Sequence, residues 1–219
     1  MSERFGAARK RQDASADRTH AAILDAAITV IARHGLSATT VQLVAEAARV
    51  APGTVILHFV RKEALLAAAL EFVALEFEQA RRQAIERASS DPVEAIKGLI
   101  EVSFDPKVSA PARIAVWYAF WGEAPARRVY QQVIGNLDNA YHADLERLFR
   151  ELIECGGHRH LNPAAVAIGF AGLLDWHWQD VLSSGPDFDR VRAMAITQAY
   201  LVGIFPREFA LTTSASPGS

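Results

Sequence analysis

Between Thr39 and Phe59 the chain has room for two very short helices and nothing longer. Thr39-Thr40-Val41-Gln42 reads as a capping box, in which Thr39 caps and Gln42 reaches back, and the helix it starts ends near Ala48. Val50-Ala51-Pro52-Gly53 breaks the chain, and Pro52 suits the first position of a second helix that ends near Phe59. Helices this short are unstable alone in water, so each must bury one face against its neighbours. Val41, Val44 and Ala45 on the first are spaced to meet Val55 and Phe59 on the second.

The rest of the chain is punctuated in the same helical manner. Asp17 precedes a run in which Ile23, Ala27, Val30 and Ile31 share one face, and His34-Gly35 stops it, with glycine as a left-handed cap. An amphipathic helix is expected from Lys62 to Arg87, and Asp91-Pro92-Val93-Glu94 opens the next, to about Val102. Pro111 precedes an aromatic segment, 112–123, and a long helix follows Pro125 to Cys155. Asn162-Pro163 starts an apolar helix to Ser183, and the last spans 188–205. No alternating apolar strand occurs. The expectation is an all-α fold of about nine helices. It comprises a flexible arm (1–17), a three-helix N-terminal domain (18–62), a larger helical body (63–210) and a tail (211–219).

The composition, 51% hydrophobic and 22% charged over 219 residues, supplies a core and excludes a disordered chain. The longest stretch free of Asp, Glu, Lys and Arg is His160–Leu174, 15 residues. A membrane span needs roughly 18, so neither a span nor membrane partnership is expected. The first residues hold no apolar signal-peptide core, and a single cysteine, Cys155, suits the reducing cytoplasm. Residues 1–65 carry nine Lys/Arg against six Asp/Glu, and the remainder fourteen against nineteen. A basic front suits a polyanionic partner, and Arg9-Lys10-Arg11 reads as a minor-groove arm or a solvated tail.

Two short helices joined by a tight turn form a helix-turn-helix, with Pro52 to His58 as the element that enters the major groove. Residues 35–66 resemble the tetracycline-repressor (TetR) family of bacterial regulators. The matching positions are Ile23-Leu24 and Ala26-Ala27, Gly35, Thr39-Thr40, Ala45, Ala48, Val50, Gly53-Thr54, His58-Phe59, Lys62-Glu63 and Leu65-Leu66. The resemblance implies a cytoplasmic homodimeric repressor. Its heads bind a pseudo-palindromic double-stranded operator, and its bodies dimerise and take a small-molecule effector. The DNA face it implies is Thr40, Gln42, Arg49, Pro52, Gly53, Thr54, Ile56, Leu57, His58 and Lys62.

Three positions depart from the family pattern. Arg49 stands where the turn usually has glycine, Ala51 where serine usually caps, and Ile56 where a phosphate-binding tyrosine is usual. They motivate an alternative: a helical small-molecule-binding protein with weakened or lost DNA binding. Ile56 and Leu57 are either core residues or exposed groups that suit thymine methyls.

In the body, Phe104-Asp105, Val108-Ser109, Trp117 to Trp121, and Leu173-Leu174-Asp175 with Trp178 resemble the choline-responsive repressors of betaine synthesis within that family. The four tryptophans form two clusters, 117 with 121 and 176 with 178, which are either aromatic core or pocket wall. The implied ligand residues are Phe104, Asp105, Trp117, Tyr118, Trp121, Tyr141, Asp175 and Trp178. Aromatic faces beside an aspartate suit a quaternary ammonium. Helices 163–183 and 188–205 are expected to form the dimer interface. No catalytic residue, metal site or cofactor is expected. His158-Arg159-His160 lacks a third ligand at useful spacing, and no phosphate-binding glycine loop occurs.

Overall fold

The computed structural model describes the backbone of residues 2–210 and the side chains of residues 15–210. The expected tail, 211–219, and the side chains of Arg9, Lys10 and Arg11 lie outside the described residues. Among the described residues the structure is helical throughout, without strands. It comprises α1 (Ser2–Ala38), α2 (Val41–Ala48), α3 (Pro52–Phe59), α4 (Lys62–Arg87) and α5 (Pro92–Phe104). There follow α6 (Pro111–Gly122), α7 (Arg127–Gly156), α8 (Pro163–Ser184), a single 3₁₀ turn (Gly185–Asp187) and α9 (Arg190–Ile204). Residues 2–17, expected as an arm, are the front of α1.

Local chemistry sets most helix ends. Asp91 Oδ1 accepts from Val93 N at 2.8 Å, Asn162 Oδ1 from Ala165 N at 3.0 Å, and Asp189 Oδ1 from Arg192 N at 3.0 Å. Each caps a free amide of a first turn, and Pro92 and Pro163 follow two of these caps. Gly35 interrupts α1 as expected, but at φ 75, ψ 173. That is not the left-handed helical cap but a region essentially reserved for glycine. The expected capping box does not form, because the cap falls one residue later and its third helical position is Leu43, which has no side-chain acceptor to reach back. Thr40 is the cap of α2 and accepts from Leu43 N at 3.2 Å. Thr39 is fully buried and donates its hydroxyl to Gly35 O at 2.7 Å.

The chain divides into two compact units, at positions other than the expected boundary at residue 62. The first runs to Glu76 and takes in Ala110–Leu137. Its core joins Ile23, Ala27 and Ile31 of α1 to Val44 and Ala45 of α2, Val55 and Phe59 of α3, and Val116 and Phe120 of α6. Arg113 on α6 bonds Glu76 at 2.9 Å and lies 3.8 Å from Asp25, tying α6 to α4 and α1. The stretch Ser15–Ala38 is long and apolar enough to cross a membrane by length and composition only, a test that a core helix passes as well. Its apolar residues line this core.

The second unit is Phe77–Ser109 with the chain from Asp138 onward. Ile96 and Leu99 of α5, Leu145 and Phe149 of α7, Phe170 of α8, and Leu201 and Phe205 of α9 fill it. Arg81 is buried and paired with Glu78 and Asp144, the latter at 2.6 Å. Arg190 donates to Phe104 O at 2.9 Å and to Ser109 Oγ at 2.7 Å, fastening α9 to the end of α5.

The turn between α2 and α3 carries a local cost. Arg49 sits in the left-handed region at φ 55, ψ 42, with its N–H on Glu46 O at 3.1 Å and Val50 N on Ala45 O at 2.9 Å. A side chain there is strained by about 1 kcal/mol relative to glycine. Arg49→Gly therefore raises the unfolding free energy by about that amount, which chemical denaturation of the pure protein measures.

Candidate nucleic-acid interface and ligand site

Val55 and Phe59 point α3 inward, and the opposite face of α3 is open. Ile56 is 51% exposed, Leu57 81% and Val60, just past the helix, 78%. The choice left open for Ile56 and Leu57 is thereby settled against the core. Val60, which sequence reasoning missed, has φ 63 and ψ −46, a conformation that a β-branched residue avoids. Ala51 provides no side-chain cap, and only its backbone carbonyl serves the first turn of α3, accepting from Thr54 N at 2.9 Å. Gln42, Arg49 and Gly53 are exposed, and Pro52 and Thr54 are partly so.

Gly53 needs a physical reason. Its φ is not positive, and a Cβ there would meet nothing within 4 Å. Neither the backbone nor the packing of this chain requires glycine at that point. What an absent side chain leaves is a bare helix start that another molecule can approach closely.

Two expected contacts are partly occupied. Lys62 Nζ donates to Ser37 O at 2.9 Å. The His58 ring lies 5.6 Å from that of His20, which stacks on Phe59 at 4.7 Å. His20 escaped the sequence reading, although it lies three residues before Ile23 on the face that continues into the core.

In the second unit, Tyr141 and Trp178 come together around a residue that sequence reasoning did not select. The Phe77 ring meets Tyr141 edge-on at 5.8 Å and Trp178 edge-on at 5.2 Å. Trp178 Nε1 donates to Ser103 O at 2.9 Å, and the Arg81 guanidinium lies 5.5 Å from the Tyr141 ring centroid. Burial pushes the Tyr141 hydroxyl well above the ordinary phenol range; the charge of Asp175 adds to this and Arg81 opposes it. The Asp175 carboxyl is also raised, first by desolvation, then by Asp138, with His142 opposing.

The other expected ligand residues are placed differently. Trp117, Tyr118 and Trp121 belong to the first unit. There Trp117 packs on Tyr130 at 6.2 Å, Tyr118 is half-buried, and Trp121 is 63% exposed. Phe104 is buried and meets the His177 ring at 5.4 Å. Asp105 is engaged in a turn: Oδ1 accepts from Lys107 N at 2.8 Å, and its carbonyl accepts the Ser109 hydroxyl at 2.9 Å. His158, weighed as a metal ligand, bonds Glu208 at 2.8 Å.

A helix-turn-helix with an open, strained recognition segment, in a chain whose second unit holds a half-buried aromatic cluster, defines a DNA-binding regulator. The description "bacterial regulatory proteins, tetR family" matches residues 23–69, and "BetI-type transcriptional repressor, C-terminal" matches residues 92–206. The HTH-type transcriptional regulator BetI of Paraburkholderia xenovorans is 28% identical over 185 residues, spanning 83% of this chain and 90% of the relative. Among solved structures, the fatty acid degradation regulator FadR of Bacillus halodurans superposes with TM-score 0.69 at 24% identity, covering 83% of this chain and 97% of that one. A protein from Saccharomonospora viridis solved in complex with choline superposes with TM-score 0.64 at 16% identity, covering 84% and 96%.

The chain belongs to the tetR family of bacterial regulatory proteins, with a BetI-type repressor body. It is a ligand-responsive, DNA-binding transcriptional repressor.

Two outcomes follow from these sites. Gly53→Ala stabilises the head by about 1 kcal/mol through helix propensity, yet weakens retention of duplex DNA. Thermal melting and gel retardation of the same preparation read the two opposite signs. For Asp175, a folded-state value above the ordinary 3.8 means that ionisation opposes folding. Stability is retained below that value and lost as pH rises through the folded value. Asp175→Asn therefore stabilises at neutral pH, and denaturation midpoints of variant and parent converge on acidification.

Proposed function

We propose that two copies of this chain pair through α8 and α9 and place their α3 helices in successive major grooves of a pseudo-palindromic operator. A small cationic effector at Phe77, Tyr141 and Trp178 then favours a state of the dimer that fits the operator less well. Such control needs only different effector affinities in the two states. The repressor acts on chromosomal DNA in the cytoplasm.

The single observation that carries the reading is the solvent face of α3. It exposes Ile56 and Leu57 beside Val60 and presents a glycine that the fold does not require. Pairing is supported by Ile168, Trp176 and Leu182 on α8 and by Val191 and Ile196 on α9, all exposed in the single chain. Apolar groups in such number on two adjacent helices mark an interface. The effector class is supported by three aromatic rings beside Asp175 and Asp138, a setting that attracts an ammonium ion through ring faces and charge. The choline held by the Saccharomonospora viridis protein is of that class.

From Pro52 to His58 there is no Arg, Lys, Asn or Gln, the usual bidentate readers of base edges. Ile56 and Leu57 therefore read thymine methyl groups. Selection of bound duplexes from random DNA recovers an inverted repeat with conserved thymines. Replacing one of these by uracil removes a methyl and weakens binding about fourfold, and Leu57→Ala abolishes that difference. An operator indifferent to the swap at every position would transfer base reading to Gln42 or Arg49. A second reading, a binding protein that has lost its operator, is favoured by the strained Arg49 and uncapped Ala51. Failure to retain any duplex at low salt would establish it.

A further inference from the structure

His177 is 1% exposed, and neither of its ring nitrogens has a hydrogen-bond partner. Burial holds the imidazole below its ordinary titration range against the pull of Asp180, so at neutral pH it is a neutral ring with one donor and one acceptor. A buried polar group without a partner is a standing cost. Here it lines a cavity of about 290 Å³ between the C-terminal end of α8 and the start of α9.

The charged groups of the wall are predominantly acidic. Asp180, Asp187 and Asp189 face it with Arg192 as the one cation among the lining residues, and the Trp176 ring forms a side. Asp180 uses Oδ1 to accept the hydroxyls of Ser184, at 2.5 Å, and Ser183, at 3.4 Å. Asp189 uses Oδ1 to cap α9. These bonds hold both carboxylates by one oxygen and orient the other. Three carboxylates, one guanidinium and a neutral imidazole leave a net negative cavity with a ring face and an unmet acceptor.

We propose that this cavity is a second small-molecule site and that it takes a short alkyl chain ending in primary ammonium groups. The ammonium N–H groups satisfy the imidazole acceptor and the carboxylates together, while Trp176 covers the methylenes and the cation. A quaternary ammonium has no N–H to give His177, which separates this site chemically from the Phe77–Tyr141–Trp178 cluster. The small volume limits the ligand to a few heavy atoms. Trp176 and Ile196 also belong to the face proposed for pairing, so a second copy covers the mouth and the polar interior remains for the amine.

Calorimetric titration of the full chain with putrescine tests this, with tetramethylammonium as the control. Putrescine binds, and tetramethylammonium neither binds there nor competes. Asp180→Asn and His177→Phe each weaken putrescine about tenfold or more. The His177→Phe protein melts no lower than the parent, because phenylalanine occupies the same space without unpaired nitrogens, and its retention of duplex DNA is unchanged. Nitrogen NMR shows the His177 ring signals moving on addition of putrescine. Putrescine binding that survives both substitutions overturns the proposal, and so does the absence of binding. In the latter case, His177 signals that change with protein dilution identify a second copy as the occupant. DNA retention, measured on the same samples, reports separately on the operator reading.

Discussion

The recognition helix α3 is eight residues long, and everything it does depends on the anchoring of Val55 and Phe59. A helix of that length does not persist in water. It begins without a side-chain cap and ends in a strained valine, so its own termini contribute little. Burial of these two side chains against α1 and α2 supplies what the local sequence lacks. The same burial fixes the rotation of α3: with residues 55 and 59 inward, residues 56, 57 and 60 must face solvent. The aliphatic solvent face of α3 is thus a consequence of where two core residues sit.

Features that cost stability recur on the open side of the helix-turn-helix and in the second unit. Arg49 and Val60 flank α3 in conformations that favour glycine, and Gly53 stands where alanine would serve the helix better. In the second unit, Asp175 is held in a setting that opposes its charge, and His177 is buried without a partner. The strained residues and the unpartnered imidazole each carry a cost that the isolated chain does not relieve. Arg81 shows the contrast. It is as buried as His177, but Glu78 and Asp144 pair with it.

Much of the architecture was legible because helix boundaries are written in short-range chemistry. A cap acts on an amide two or three residues away, so Asp91-Pro92 and Asn162-Pro163 announced α5 and α8 without knowledge of the fold. The exception is instructive. Thr39 and Thr40 are both competent caps. The choice fell to Thr40 because Thr39 is drawn into the core, where its hydroxyl binds the Gly35 carbonyl. Sequence spacing alone does not rank two adjacent threonines. The aromatic cluster was half legible for a similar reason. Trp178 carried a resemblance and Tyr141 was among the residues it implied, whereas Phe77 sat in an unremarkable stretch of α4 and was selected only by its neighbours in space.

The sequence by itself determined the helical class, the punctuation of the helices, the family and the poverty of hydrogen-bond donors along α3. These rest on interactions within a turn or two of the chain, or on residue types that no packing can change. Only the tertiary structure decided that Ile56 and Leu57 lie outside, that Trp117, Tyr118 and Trp121 belong to a different unit from Tyr141 and Trp178, and that His20 backs His58. Exposure and neighbourhood are set by segments tens of residues apart in sequence. An apolar side chain reads identically in a sequence whether a distant helix covers it or leaves it to water.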